Sequence, residues 1–320
     1  MKFQFSNQFR QQFVQYQGGT FKLVDGELPL LDKGQIFVEV QYSTINPIDR
    51  IMYRAKKEEG FVMGTEGNGY IRQIGDGVDK GLIGRFVSFT LGGWARYAIK
   101  DINEVIIFQD QSGLDPRKFA NAFVNPLTGS GLIDLAKKHN AKAVVILAAS
   151  SQMAKQMIRL SRSLGIETVN IVRRKEQVKD LIENYGAKYV LNQSSSTFFL
   201  DLECIGGNIP GDIFAKMPPK SLMVAYGILS KIRLSFDSFD LIKNDKYIQS
   251  FFVFRWLNSL EHEEKKQLFE KVADDLQNNK GQIFSTNIIK EIPLEEWREA
   301  IDESEKIASQ GKYIIKCARN

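Results

Sequence analysis

The residues with the clearest chemical potential lie in one stretch, AVVILAASSQMAKQMIRLSRSLGIETVNIVRR, at positions 143 to 174. An apolar strand runs into a tight turn and then into an amphipathic helix. This is the order in which a dinucleotide-binding unit holds a pyrophosphate on backbone N–H groups and a helix N-terminus. Such a turn normally uses glycines, whereas the corresponding positions here read Ala149, Ser151, Gln152 and Ala154. Ala and Ser add little bulk, so the turn is expected to survive wherever it does not need a positive φ. Ser150, Ser151, Gln152 and Met153 are the candidate phosphate contacts, the last two being the bulkier. About 20 residues past the turn the second strand ends in Asn170-Ile171-Val172-Arg173-Arg174. The acidic residue that would bind a ribose 2′-hydroxyl is missing, and two guanidinium groups stand where a 2′-phosphate would need them. The expected cofactor is therefore NADP rather than NAD. An Arg-Arg-Lys run also suits a solvated helix entrance, so Arg173 and Arg174 draw weight from the rest of the chain.

The elements that must position these groups change character along the sequence. Residues 20 to 110 are short alternating or β-branched runs, IFVEVQYSTI, GYIRQIG, GRFVSFT and NEVIIF, separated by glycine and acidic turn residues. From DPRKFANAFVNPLTGSGLIDLAKKH onward a helical period is expected, with Asp115 as N-cap and Pro116 at the first helical position. Apolar strands then alternate with amphipathic helices, the pattern of a parallel sheet covered by helices on both faces. A long charged helix, SLEHEEKKQLFEKVADDLQNN, precedes a return to short strands in IFSTNIIKEIPL and KYIIKCA. The expected class is α/β, with a β-rich domain over 1–122 rejoined by 280–320, and a doubly wound nucleotide-binding domain over 123–279.

Composition narrows the chemistry. The chain has 320 residues, 43% hydrophobic and 25% charged, with a formal net charge of +5 from scattered Lys and Arg. Scattered charge favours a small anionic ligand over a nucleic-acid surface. No apolar run reaches the ~18 residues of a membrane-spanning helix. Cys204 and Cys317 make neither a disulfide framework nor a zinc spacing. His139 and His262 are read as surface residues, since a catalytic zinc needs about three protein ligands and neither histidine has a partner at helical spacing. A Ser-His-Asp hydrolase is equally unsupported. The opening MKFQFSNQFRQQFVQYQ is basic and glutamine-rich, loosely like a transit peptide, and is read as a first strand with a polar extension.

A collinear set of motifs carries a family resemblance: VEVQYSTINPID at 38–49, GTEGNGYIRQIGDGV at 64–78, GRFVSF and GGWARY within 84–97, VNPLTGSGLI at 124–133, the strand-turn-helix with IVRR, CIGG at 204–207, VAYGILS at 224–230, PLEEW, and GKYIIK. With these the sequence resembles the zinc-independent medium-chain dehydrogenase/reductase superfamily, close to the quinone oxidoreductases and mitochondrial 2-enoyl thioester reductases. The resemblance implies a GroES-like catalytic domain and a Rossmann domain. Zinc-dependent relatives place a Cys where this chain has Asn46 and a His where it has Thr65.

The resemblance also implies roles for single residues. Asn46 and Thr128 would lie beside nicotinamide and substrate, with Asn125 close by. Tyr226, Gly227, Ile228 and Ser230 match the loop along the cofactor's phosphate and nicotinamide half. The family's enoyl reductases use a tyrosine downstream of Asn-Pro-x-x-Asp as proton donor, and Tyr53 is the candidate. It follows Asp49 more closely than the family's tyrosine does, and Lys56 and Lys57 occupy the neighbouring region. The segment QSFFVFRWL supplies an aromatic wall suited to an acyl chain or planar ring, or simply to a core. Two functions follow. One is an NADPH-dependent, metal-free reductase of an enoyl thioester, enone or quinone; the other is a catalytically degenerate relative serving as a structural subunit of a larger assembly. The altered turn and displaced tyrosine favour the second, while Asn46, Thr128, Arg173, Arg174 and YGILS favour the first. A small-molecule substrate, a homodimer or larger assembly, and a mitochondrial matrix or cytoplasmic location complete the expectation.

Overall fold

A computed structural model describes residues 11–27, 30–109, 113–192, 201–230 and 232–319, with backbone alone for 201–203. The first ten residues of the transit-peptide-like opening lie outside this set. In chain order the elements are β1 (Gln11–Gln17), β2 (Thr20–Gly26), β3 (Gln35–Thr44), α1 (Pro47–Arg54), β4 (Glu66–Ile74), β5 (Phe86–Thr90), β6 (Tyr97–Asp101), β7 (Val105–Phe108), α2 (Val124–Lys138), β8 (Ala143–Ile146), α3 (Gln152–Ser163), β9 (Glu167–Val172), α4 (Glu176–Tyr185) and β10 (Tyr189–Asn192). They continue with β11 (Asp201–Glu203), α5 (Ile209–Ala215), β12 (Leu222–Ala225), α6 (Ser238–Lys243), β13 (Tyr247–Ser250), α7 (Val253–Asn258), α8 (His262–Gln277), β14 (Ile288–Pro293), α9 (Trp297–Lys306) and β15 (Lys312–Lys316).

Two compact units result, residues 1–126 with 262–320, and residues 127–261. The first is β-rich, as its alternating runs require. Its main sheet has the order β14-β15-β3-β4-β5-β7, with β6 also paired to β3. β15 runs parallel to β14 and antiparallel to β3, Ile314 facing Thr44. Its core gathers Val14, Phe21, Val38, Phe89, Trp94, Trp297 and Ile315, all at or below 3% exposure. The rejoining begins earlier in the chain than expected: α8 packs within this unit, with Phe269 against Phe123 at 5.5 Å between ring centroids and Lys265 paired to Glu104 at 2.8 Å.

The second unit carries six parallel strands in the order β10-β9-β8-β11-β12-β13. Strand order reverses between β8 and β11, so the carboxyl ends of these two strands flank the switch point at which doubly wound sheets bind ligands. The α/β class and the parallel sheet expected from alternation are both found.

The helix expected from Asp115 differs. Asp115 does cap, accepting the Arg117 N–H at 3.2 Å, but Pro116–Phe119 closes only a 3₁₀ turn, and the α-helix starts at Val124. Asn121 and Phe123 between the two segments are instead held by a buried carboxylate, that of Glu66.

Candidate functional site

In the first unit, a buried polar cluster forms around Asn46, the residue that precedes α1. The cluster follows from register. Thr44 faces Ile314 across the antiparallel strands β3 and β15, so Asn46, two positions after Thr44, and Lys312, two positions before Ile314, are brought together. The same strand pairs with β4, bringing Glu66 to Thr44. Asn46 is 1% exposed, and both ends of its amide are engaged. Oδ1 accepts from Lys312 Nζ at 2.5 Å, while Nδ2 donates to Glu66 Oε1 at 2.7 Å and lies 3.2 Å from the hydroxyls of Thr44 and Thr65. The positions where zinc-dependent relatives carry Cys and His are therefore in contact, as amide and hydroxyl.

Glu66 collects five donors. Oε1 accepts from Thr44 Oγ1, Asn46 Nδ2 and Asn121 Nδ2, and Oε2 from the backbone N–H groups of Phe123 and Val124 at 3.1 and 3.0 Å. The carboxylate thus satisfies orphan donors at the start of α2 and complements its dipole. Asp49 accepts the Asn46 N–H at 2.7 Å, and the N–H and hydroxyl of Thr65 at 2.8 and 3.1 Å. Burial nevertheless pushes its carboxyl up to about 7, and burial lowers the Lys312 ammonium to about 8. Such shifts mark groups whose charged forms have lost water faster than they gained partners.

Tyr53, at half burial, packs against Trp297 and Phe21, with centroids at 5.6 and 6.0 Å, and its hydroxyl accepts from Arg298 at 3.3 Å. Asn125, in the first turn of α2, is 5% exposed, and its Nδ2 meets no acceptor among the described residues. Thr128 follows one turn along the helix at 8% exposure.

In the second unit, the cofactor residues expected from the sequence other than Thr128, which lies in α2, follow the carboxyl ends of parallel strands. β8 ends at Ile146, and the turn that follows puts Ala148 at φ +48°, the left-handed conformation that glycine adopts without cost. The strain falls on Ala148, not on Ala149 or Ser151, which sequence spacing pairs with the usual glycines. Ser151 caps α3, its Oγ accepting the Ala154 N–H at 3.2 Å. Ser150 is buried, and its hydroxyl has no partner among the described residues. Gln152 is turned into the protein at 4% exposure, while Met153 stays half-buried. Arg173 and Arg174 are exposed at the end of β9, the neighbour of β8, with Arg174 Nε 3.2 Å from Glu176.

Tyr226, Gly227, Ile228 and Ser230 leave the end of β12 and lie along the CIGG segment. The N–H groups of Leu229 and Ser230 donate to Cys204 O and Ile205 O at 2.8 and 2.9 Å. Gly206 permits this approach: it has φ +79°, and a Cβ there would meet Ile232 O at 2.4 Å. From QSFFVFRWL, Phe251 and Trp256 pack on α2 at Gly131 and border a cavity of about 250 Å³ with Leu135 and Phe252. His139 and His262 are exposed, and among the described residues no three His, Cys, Asp or Glu side chains group as metal ligands would.

Asn46 and Asn125 are among the residues the sequence singles out, whereas Glu66, Asp49 and Lys312 are not. Glu66 and Lys312 stand inside GTEGNGY and GKYIIK, and a buried charge is invisible until register places it.

No family model matches the chain. It is 24% identical over 313 residues to the mitochondrial enoyl-acyl-carrier-protein reductase of Mus musculus, covering 90% of this chain and 83% of that protein. In fold it is similar to a crystal structure described as an NADPH:quinone reductase from Bacillus thuringiensis, with a TM-score of 0.85 at 19% identity over 96% of this chain and 99% of that one. It is also similar to Etr1p in a complex with NADP and crotonyl-CoA, with a TM-score of 0.79 at 20% identity over 96% and 100%. The chain thus resembles the zinc-independent medium-chain reductases of the enoyl and quinone type in sequence, and shares their fold.

Proposed function

We propose that the protein is an NADPH-dependent, metal-free reductase of an activated double bond, in a 2-enoyl thioester or enone, or of a quinone. One observation carries this: at the switch point of a parallel sheet, a buried Ser150 hydroxyl has no partner among the described residues beside the N-terminus of α3, while two exposed arginines stand at the end of the next strand. A diphosphate fits the first and a 2′-phosphate the second. The relatives named above as enoyl reductases and the NADP-bound neighbour support the same reading.

When bound, the dinucleotide supplies the hydride. Ser150, Ser151 and the first turn of α3, with Gln152 and Met153, would hold its diphosphate, and Arg173 and Arg174 its 2′-phosphate. The loop of Tyr226, Gly227, Ile228 and Ser230 would line the nicotinamide half. Asn125, whose Nδ2 meets no acceptor among the described residues, and Thr128, with its hydroxyl, would be suited to orienting a carboxamide or polarising a substrate carbonyl. Asn46, its amide already engaged, acts behind them by holding Glu66. Tyr53 is held by packing and by Arg298, which favours a structural part for it.

Ala148 in a strained conformation is the observation that favours the degenerate alternative. A titration decides between them: saturable quenching of NADPH fluorescence, together with NADPH oxidation driven by crotonyl-thioester or quinone, is expected, and absence of both would leave the scaffold. The relatives' mitochondrial names support a matrix location over the cytoplasm. The open edge of β13, with Tyr247, Ile242, Phe239 and Ile232 more than half exposed nearby, supports a homodimer or a place in a larger assembly. Among the described residues no helix is long and apolar enough to cross a membrane.

A further inference from the structure

We propose that Lys312 is a positioning residue for this reaction: its ammonium fixes the orientation of the Asn46 amide, and through Asn46 and Glu66 it holds the start of α2, on which Asn125 is presented. The inference rests on the reductase reading for its catalytic consequence, but its structural part stands alone.

The two ends of a carboxamide differ only in what they can bond, so the partners decide which way it faces. Lys312 Nζ can only donate, and it lies 2.5 Å from Asn46; that end must therefore be the oxygen. Nδ2 is then compelled toward Glu66 Oε1 at 2.7 Å. With its Oε1 so occupied, Glu66 keeps Oε2 on the N–H groups of Phe123 and Val124, and Asn125 follows directly in the chain. Asn121 steadies the same carboxylate from its other side, its own Oδ1 accepting from Thr286 at 3.0 Å.

Charge requires the lysine as well as geometry. Two acids, Asp49 and Glu66, are buried at 0% and 1% exposure, and Arg50, at 6%, donates to Ser304 at 3.4 Å. Removing Lys312 strips Asn46 Oδ1 of its donor in a dry site and takes the cation away from the buried Glu66 carboxylate. The amide then loses the anchor that holds Nδ2 on Oε1, and the carboxylate's hold on α2 loosens.

The experiment compares Lys312→Met and Lys312→Arg in the full chain. Amide hydrogen exchange at Phe123 and Val124 should accelerate about tenfold or more in Lys312→Met, with distant strands such as β9 unchanged, and should return toward the parent in Lys312→Arg. Turnover should fall by up to about a hundredfold in Lys312→Met while the Kd for NADPH, read by fluorescence, stays within about twofold. If Lys312→Met does not fold, Lys312→Gln, uncharged and close in size with Glu66 left in place, is read in the same way and should fold with exchange at Phe123 and Val124 faster than in the parent. Unchanged exchange at Phe123 and Val124 in a folded variant overturns the proposal, as does a uniform loss of protection that Lys312→Arg does not restore. A parent protein that neither binds NADPH nor oxidises it overturns the reductase reading alone, because the exchange result does not depend on it.

Discussion

Glu66 and Val124 are joined by a 3.0 Å hydrogen bond from the helix's first N–H to a carboxylate that starts a strand 58 residues earlier. Because five donors converge on that carboxylate and none of its neighbours there accepts from it, an amide in its place would present N–H groups to N–H groups. Glu66→Gln is expected to cost about 2–4 kcal/mol, a figure set by unmet buried donors rather than by lost volume. Chemical denaturation monitored by far-UV circular dichroism measures it.

Ala148 carries the backbone conformation that the usual glycine would supply. Ala148→Gly should raise stability by about 1 kcal/mol, since the native φ of +48° is strained for alanine and free for glycine. NADPH affinity should stay the same or rise. A lower melting temperature would mean that the turn is not left-handed there.

Arg173 and Arg174 are assigned to the one phosphate that distinguishes NADPH from NADH. Replacing both with alanine should weaken NADPH by about tenfold or more, the equivalent of one or two charge-assisted hydrogen bonds, and NADH by much less. Equal losses, measured by fluorescence titration with each nucleotide, would remove the 2′-phosphate assignment.

The buried acid and base of the first unit give opposite pH slopes. Asp49 keeps its proton in the folded protein up to about 7 against an ordinary 3.8, so the native state holds more protons than the unfolded one between those values, and stability falls as pH rises through that window. Lys312, lowered to about 8 from 10.5, has already released its proton where the unfolded chain still holds one, so stability rises with pH from about 8 to 10.5. Melting temperatures of parent and Asp49→Asn across pH 4 to 7 should converge as pH falls only if Asp49 is responsible; parallel curves would exonerate it.

Tyr53 packs between Phe21 and Trp297, with Arg298 on its hydroxyl. Tyr53→Phe preserves the rings and loses that single exposed bond, so turnover should change by less than about threefold. A general acid would instead lose about a hundredfold or more on the same substitution. Steady-state rates with an enoyl thioester and with a quinone separate the two outcomes.

The parallel sheet was legible because apolar runs such as AVVILA and ETVNIV alternate with helices of clear period, and only one sheet type accommodates that order. The strand-end placement of Arg173, Ser151 and YGILS followed from it. The segment from Pro116 reads as a helix but closes a 3₁₀ turn, because Asp115 and Pro116 are an equally good start for one, and the continuation depends on the Glu66 carboxylate, 50 residues before Pro116 in the chain, rather than on local propensity. Asn46 could be singled out, but its role could not: its decisive partner lies 266 residues further on. Position 148 gave no warning either, since an alanine's φ is imposed by the strand and helix it connects.

Lys312 opens a strand that enters the first unit's sheet between β14 and β3, and it comes after the second unit in the chain. During synthesis on the ribosome, residues 127–261 must all emerge before β15 can dock beside β3. The nascent N-terminal segment can thus gather the partners of Glu66 and Asp49, all within residues 44–124, but it waits for the Lys312 ammonium until the second unit has been made.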